Sequence, residues 1–309
     1  MKRHAFYLNR DREIRLFIHC WIPDYTQEIK GVVQLAHGMA EHIMRYDAFS
    51  SFLASQGFIV IGNDHRGHGR SIQAPDDWGF LAEQKGFDKL TEDMYTVTQY
   101  IQKEYPGLPV FLLGHSMGSF LTRRYIQFYS EALSGVLLLG TGGSQGMLGK
   151  LGLTIAKWER CRKGPRSPSF LMNKLTFGQF NNAFQPARTA FDFLNRDTSA
   201  VDAYIQDPLC GFICSTSFYI DLLDGIEFIH LPRAQRNISK KLPIILLSGD
   251  TDPVGKFGDG VREAHNMYRR IGIRDVQIQL YANARHDLLH ETNKEEVYNG
   301  ILTWLENKL

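Results

Sequence analysis

No stretch of the 309-residue chain approaches the length of apolar sequence that spans a bilayer. The opening residues, MKRHAFYLNRDREIRLF, are broken by charges throughout and contain no apolar core of a secretion signal, so a cytoplasmic protein is expected. Cysteine is scarce, and Cys20, Cys161, Cys210 and Cys214 are scattered without C-x-x-C spacing, which suits reduced thiols in a reducing compartment. No charge of one sign dominates either: 35 basic against 33 acidic residues leave a net charge of +2, too little to create a field for nucleic acid. No G-x-G-x-x-G follows an apolar run, which argues against a dinucleotide fold. His37, His42, Asp64, His65 and His68 gather in the first third, but Asp64-His65-x-x-His68 does not match a helical H-E-x-x-H, and Gly67 and Gly69 fit a tight turn better. No cofactor and no metal are therefore expected. Internal repeats and low-complexity tracts are also missing.

What the chain does have is an ordinary globular composition, 43% hydrophobic and 22% charged. Polar and apolar residues alternate through HAFYLNR and IRLFIHCWIP, which predicts an N-terminal antiparallel hairpin around Asn9-Arg10-Asp11. Short apolar runs at 32–36, 58–62, 109–113 and 135–140 then alternate with amphipathic helices at 46–55, 86–104 and just after Gly118. That alternation is the sequence form of a mostly parallel central sheet flanked by helices. It breaks after Thr141-Gly142-Gly143 and resumes with LPIILL at 242–247, a helix at 258–269, VQIQL at 276–280 and a closing helix. The expected organisation is an α/β core of residues 1–142 and 241–309, with a helical lid inserted at 143–240.

Chemistry centres on Gly114-His115-Ser116-Met117-Gly118, between the run PVFLL and the helical pattern FLTRRYIQFY. In so sharp a strand-to-helix turn a Cβ at either glycine would clash, and the turn lifts the Ser116 hydroxyl clear of the sheet. A serine needs a base and a carboxylate to orient that base. After LPIILL come Asp250 and Asp252. Asp252 is preferred because Asp252-Pro253 places it at the loop tip, while Asp250 holds the turn. After VQIQL come His286 and His290, of which His286 follows the strand directly and is taken as the base, with His290 supporting the loop. Asp287 is too close in sequence to bond the His286 ring. Donors for the developing oxyanion are expected from the backbone NH groups of Met117 and Met39, the latter in the loop His37-Gly38-Met39-Ala40, which the His37 side chain braces.

With HGMAEHIMRYDAF at 37–49, NDHRGHGRS at 63–71, GHSMG at 114–118 and the SGDTDPVG and ARHDLLHE segments, the chain resembles the α/β-hydrolase superfamily and its monoacylglycerol lipase and lysophospholipase-like branch. The resemblance covers nearly everything except the lid. It implies an α/β-hydrolase fold and Ser116, Asp252 and His286 as a triad, with Met39 and Met117 as oxyanion donors. One departure is Ser119, where such enzymes usually carry a further glycine. The expected function is a serine carboxylester hydrolase acting on monoacylglycerol-like or lysophospholipid-like esters through an acyl-enzyme. A serine aminopeptidase-like amide hydrolase of the same fold is the alternative. In the lid, Phe177, Phe180 and Phe184 recur at helical spacing, followed by Phe191, Phe193, Phe212, Phe218 and Tyr219. Some of these hold the lid together and others are expected to wall an acyl chain. Lys150, Lys157, Arg160, Arg162, Lys163, Arg166 and Lys174 lie beside Leu148, Leu151, Leu153, Ile155 and Trp158, a pattern compatible with transient contact with a membrane surface or with a solvated basic face.

Overall fold

The computed structural model describes residues 1–10, 14–24 and 28–309. Strands β1 (Lys2–Asn9) and β2 (Arg15–Ile22) pair antiparallel with Asn9 opposite Arg15, as the alternation requires. Asp11 of the expected turn lies outside the described residues. Next come β3 (Gly31–Ala36), α1 (Asp47–Ser55), β4 (Phe58–Asn63), α2 (Gly86–Glu104), β5 (Val110–His115), α3 (Met117–Tyr129) and β6 (Gly135–Leu139). A purely helical stretch follows: α4 (Gly146–Lys163), α5 (Phe170–Phe177), α6 (Thr198–Gln206) and α7 (Thr216–Ile229). The chain closes with β7 (Ile244–Gly249), α8 (Asp259–Arg270), β8 (Val276–Tyr281) and α9 (Lys294–Glu306).

The eight strands form one sheet in the order β1-β2-β4-β3-β5-β6-β7-β8. β2 meets β4 antiparallel, and every pairing from β4 to β8 is parallel. Both faces are covered, so the interiors of the central strands are almost wholly apolar; the exception, Gln34 of β3, donates to the Met94 carbonyl at 2.8 Å and accepts from Thr98 Oγ1 at 2.6 Å. Val136 and Leu138 pack with α2, α3 and α7 on one side, and Leu137 and Leu139 with α1 and α9 on the other. β7 begins two residues later than the apolar run predicted, because Leu242-Pro243 leads into the sheet, where the Pro243 carbonyl accepts from Val136 NH. It also runs further, through Ser248-Gly249. At that end a Cβ on Gly249 would sit 1.9 Å from the Ala284 carbonyl oxygen, so only glycine lets the two loops beyond β7 and β8 come together.

Segment 143–240 is not uniformly peripheral. Phe218, Tyr219, Ile226 and Ile229 of α7 are buried with Leu90, Met94, Leu121 and Tyr125 of α2 and α3, making α7 part of the main core. α4 and α5 stand further out, with Met147 88%, Leu148 80% and Phe170 65% exposed. No helix among the described residues is long and apolar enough to cross a membrane.

Candidate active site

The parallel strands deliver their C-terminal ends to one edge, and the candidate residues sit there. Ser116 joins β5 to α3 with φ 52° and ψ −119°, a conformation that costs a non-glycine residue of order 1–3 kcal/mol and persists only where its surroundings enforce it. The enforcement is visible on both flanks. A Cβ on Gly118 would lie 2.0 Å from the Ala36 carbonyl oxygen, and one on Gly114 2.3 Å from that of Gly118. Ser119, the departure from the resemblance, turns its hydroxyl back to the Ser116 carbonyl at 2.6 Å within the first turn of α3.

His286 Nε2 lies 2.8 Å from Ser116 Oγ, and His286 Nδ1 lies 2.9 Å from Asp252 Oδ2. Asp252 is fully buried; its second oxygen accepts from Val254 NH at 2.8 Å, and Ser248 Oγ donates to Oδ2 at 3.3 Å. This carboxylate is thus held from three directions, and its negative charge faces the ring nitrogen away from the serine. Gly140 makes room for the ring, since a Cβ there would reach 2.9 Å from His286 Cε1. The residues passed over in the sequence have other partners. Asp250 accepts from Asn283 NH at 2.7 Å, and His290 bonds Asp287 at 2.9 Å and the Arg45 carbonyl at 2.8 Å.

Met39 and Met117 border the same cavity as Ser116 and His286. The loop carrying Met39 approaches the serine closely, for a Cβ on Gly38 would come within 3.2 Å of Ser116 Cβ. His37 braces that loop from beneath: its Nδ1 donates to the Gly38 carbonyl at 2.8 Å and its Nε2 accepts from His65 NH at 2.9 Å, which fixes a neutral tautomer. The His37, His65 and His68 rings cluster below it, with centroids of His37 and His65 4.1 Å apart. Burial pushes all three well down, His65 to about 3 and His68 to about 4. The NDHRGHGRS loop winds around Asp64, whose carboxylate accepts from Ile43 NH at 2.8 Å and Arg70 NH at 2.7 Å, the tight turn that its glycines suggested.

One charged network escaped the sequence reading. Glu41 is buried beside the Met39 loop and accepts from Gly38 NH, the Tyr46 hydroxyl at 2.8 Å, Arg45 and His115 Nδ1 at 3.2 Å. Arg45 continues to Asp287 at 2.7 Å. Burial opposes ionisation of both acids, but Arg45 and His115 hold Glu41 well below the carboxylate range, and His290 and Arg45 do the same for Asp287. Burial would likewise lower His115, yet its bond to Glu41 raises it above an ordinary histidine. Glu41, Arg45 and His115 lie within the motif segments at 37–49 and 114–118, but Asp287 stands 242 positions from Arg45 and no local spacing signals that pair.

The cavity over Ser116 has a volume of about 480 Å³ and is walled by apolar side chains of segment 143–240. Phe177, Phe180, Phe191, Phe193 and Tyr219 line it. Phe184 instead stacks under Arg285 at 4.0 Å, Phe212 packs on Trp78, and Phe218 is buried against His68. The helical spacing of Phe177, Phe180 and Phe184 is interrupted, since α5 ends at Phe177 and a separate 3-10 turn spans Phe180–Phe184. The same segment pins the histidine loop: Asp287 NH donates to the Leu194 carbonyl at 2.8 Å and Asn195 Nδ2 to the Asp287 carbonyl at 3.0 Å.

Among known proteins, the family described as serine aminopeptidase, S33, matches residues 27–293. A monoglyceride lipase from Rattus norvegicus is 28% identical over 304 residues, 95% of this chain and 88% of that one. A monoacylglycerol lipase from Mycolicibacterium smegmatis is 25% identical over 298 residues, 96% and 94% of the two chains. Among solved structures, a highly thermostable carboxyl esterase from Bacillus coagulans in complex with glycerol superposes with a TM-score of 0.90 at 26% identity, over 99% of each chain. The chain belongs to the serine aminopeptidase S33 family of α/β-hydrolases, in its monoacylglycerol lipase branch, and is a serine hydrolase of the esterase and lipase group.

Proposed function

We propose that the protein hydrolyses monoacylglycerol-like or lysophospholipid-like carboxylesters through an acyl-enzyme on Ser116. The observation that carries this reading is the position of His286, 2.8 Å from Ser116 Oγ and 2.9 Å from Asp252, at the floor of an apolar cavity. Ser116 attacks the ester carbonyl while His286 Nε2 takes its proton, and the buried Asp252 stabilises the imidazolium. The NH groups of Met39 and Met117 receive the oxyanion. His286 then returns the proton to the departing alcohol, and water, activated by the same ring, releases the acid. Segment 143–240 acts as the lid: its aromatic lining receives the acyl chain, while the exposed Met147, Leu148 and Phe170, with Lys150 and Lys157 on α4, rest transiently on a lipid surface.

The ester reading is favoured over aminopeptidase action by the chemistry of the cavity. A peptide's terminal ammonium needs an available anion, and Glu41, which borders the cavity, already serves four donors. The test is release of acid from monoacylglycerols and short- and medium-chain esters, run beside aminoacyl amides. Ester turnover that disappears in Ser116→Ala is expected. Amide turnover exceeding ester turnover, or ester turnover surviving the substitution, contradicts the proposal.

A further inference from the structure

Away from the reacting atoms, side chains of the types that bind soft divalent metals converge where the loop after β3 meets segment 143–240. They are His42, Asp207 and Cys210, and one ligand atom from each lies within 4.8 Å of the other two. Tetrahedral zinc at its usual bond lengths of about 2.0–2.3 Å sets its ligand atoms roughly 3.3–3.8 Å apart, so adjustments of at most an ångström or so complete the geometry. His42 Nε2 already lies 2.9 Å from Asp207 Oδ2.

The local backbone presents these groups without help from an ion. Asp207 Oδ1 accepts from Leu209 NH at 2.8 Å, leaving Oδ2 toward the histidine, and Cys210 NH donates to the Asp207 carbonyl at 3.0 Å. This turn aims carboxylate and thiol at one point. Gly211 NH and the Tyr204 hydroxyl both donate to the Ala40 carbonyl at 2.9 Å, tying the turn to the loop that carries His42. The nearby positive charge of Arg45 is matched by two carboxylates, Glu41 and Asp287, so the Asp207 carboxylate leaves the neighbourhood net negative and receptive to a cation. Imidazole, carboxylate and thiol together suit Zn²⁺ rather than Mg²⁺ or Ca²⁺, which take oxygen ligands.

We propose that His42, Asp207 and Cys210 form a zinc site that clamps segment 143–240 to the loop at 37–42. Zinc binds the Cys210 sulfur as the thiolate and releases that proton to solvent, with water filling the fourth position. The site is separate from the serine chemistry and does not depend on the substrate proposed above.

The experiment uses the full chain freed of metal by chelation and dialysis, titrated calorimetrically with ZnCl₂ and spectroscopically with CoCl₂. One zinc per chain is expected, with proton release, thiolate-to-cobalt absorption and a higher melting temperature in zinc. Affinity should fall by about 10–100-fold or more in His42→Ala, Asp207→Asn and Cys210→Ser. Cys210→Ser changes one atom of a partly buried side chain, and its metal-free melting temperature establishes that it folds. Zinc binding that is absent from the wild type, unchanged in Cys210→Ser, or unaccompanied by the cobalt–thiolate band overturns the proposal.

Discussion

Ser116 has a hydroxyl too weakly acidic to ionise unaided near neutral pH, and what makes it a candidate nucleophile is a single ring held between it and a buried carboxylate. Asp252→Asn keeps the shape but presents a neutral group, so kcat is expected to fall by about 10⁴-fold, measured on a short soluble ester. Glu41 makes a different contribution. It touches no reacting atom in the proposed reaction; it holds Gly38 NH and His115, and through them the Met39 loop and the elbow. In Glu41→Gln the loop loses a charged acceptor, and kcat is expected to fall about 10²-fold with KM nearly unchanged, the signature of a misplaced oxyanion donor. A proportional rise in KM would instead assign Glu41 to substrate binding. The members of the candidate triad were legible in the sequence because each follows an apolar strand run within a few residues. Glu41 was not, because its value lies in partners brought from Tyr46, His115 and, through Arg45, Asp287.

Among the elements, those of the core were the most readable. α2 spans Gly86–Glu104 as its apolar spacing indicates, and the central strands announce themselves because burial on both faces leaves few polar positions. Segment 143–240 was harder, since a run of phenylalanines at helical spacing does not reveal that the helix stops at Gly178, or which rings turn to the cavity and which to the core. The apolar residues left outside have their own consequence. Met147, at 88% exposure, is outside the cavity lining, so Met147→Asp should weaken binding to anionic vesicles about tenfold, the loss of roughly 1.4 kcal/mol of apolar contact. Turnover of a soluble short-chain ester should be unchanged. Sedimentation with vesicles checks the first expectation, and equal sedimentation of variant and wild type contradicts the membrane contact.

For the whole molecule, the buried histidines set the response to acid. His65 and His68 are pushed by burial to about 3 and about 4, against about 6.5 in the unfolded chain. Each is neutral when folded and takes up a proton on unfolding below pH 6.5, so the stability present above that pH is lost progressively as the pH falls. At pH 5 the loss is roughly 2 kcal/mol for each such ring. His115, raised by Glu41, works in the opposite direction below its folded value but is one group against several, with His37 and His230 also lowered by burial. The melting temperature is therefore expected to fall steadily between pH 7 and pH 5, and one that stays level across that interval contradicts this account.

The central claim, that Ser116 carries the acyl group, is tested most directly by trapping it. The enzyme is treated with a fluorophosphonate or a slowly hydrolysed ester, and the modified peptide is located by mass spectrometry. One adduct per chain on Ser116, absent from Ser116→Ala and formed far more slowly in His286→Ala, is the predicted result. Ester turnover by an enzyme whose Ser116 stays unmodified, or an adduct on another residue that accounts for the lost activity, would contradict it.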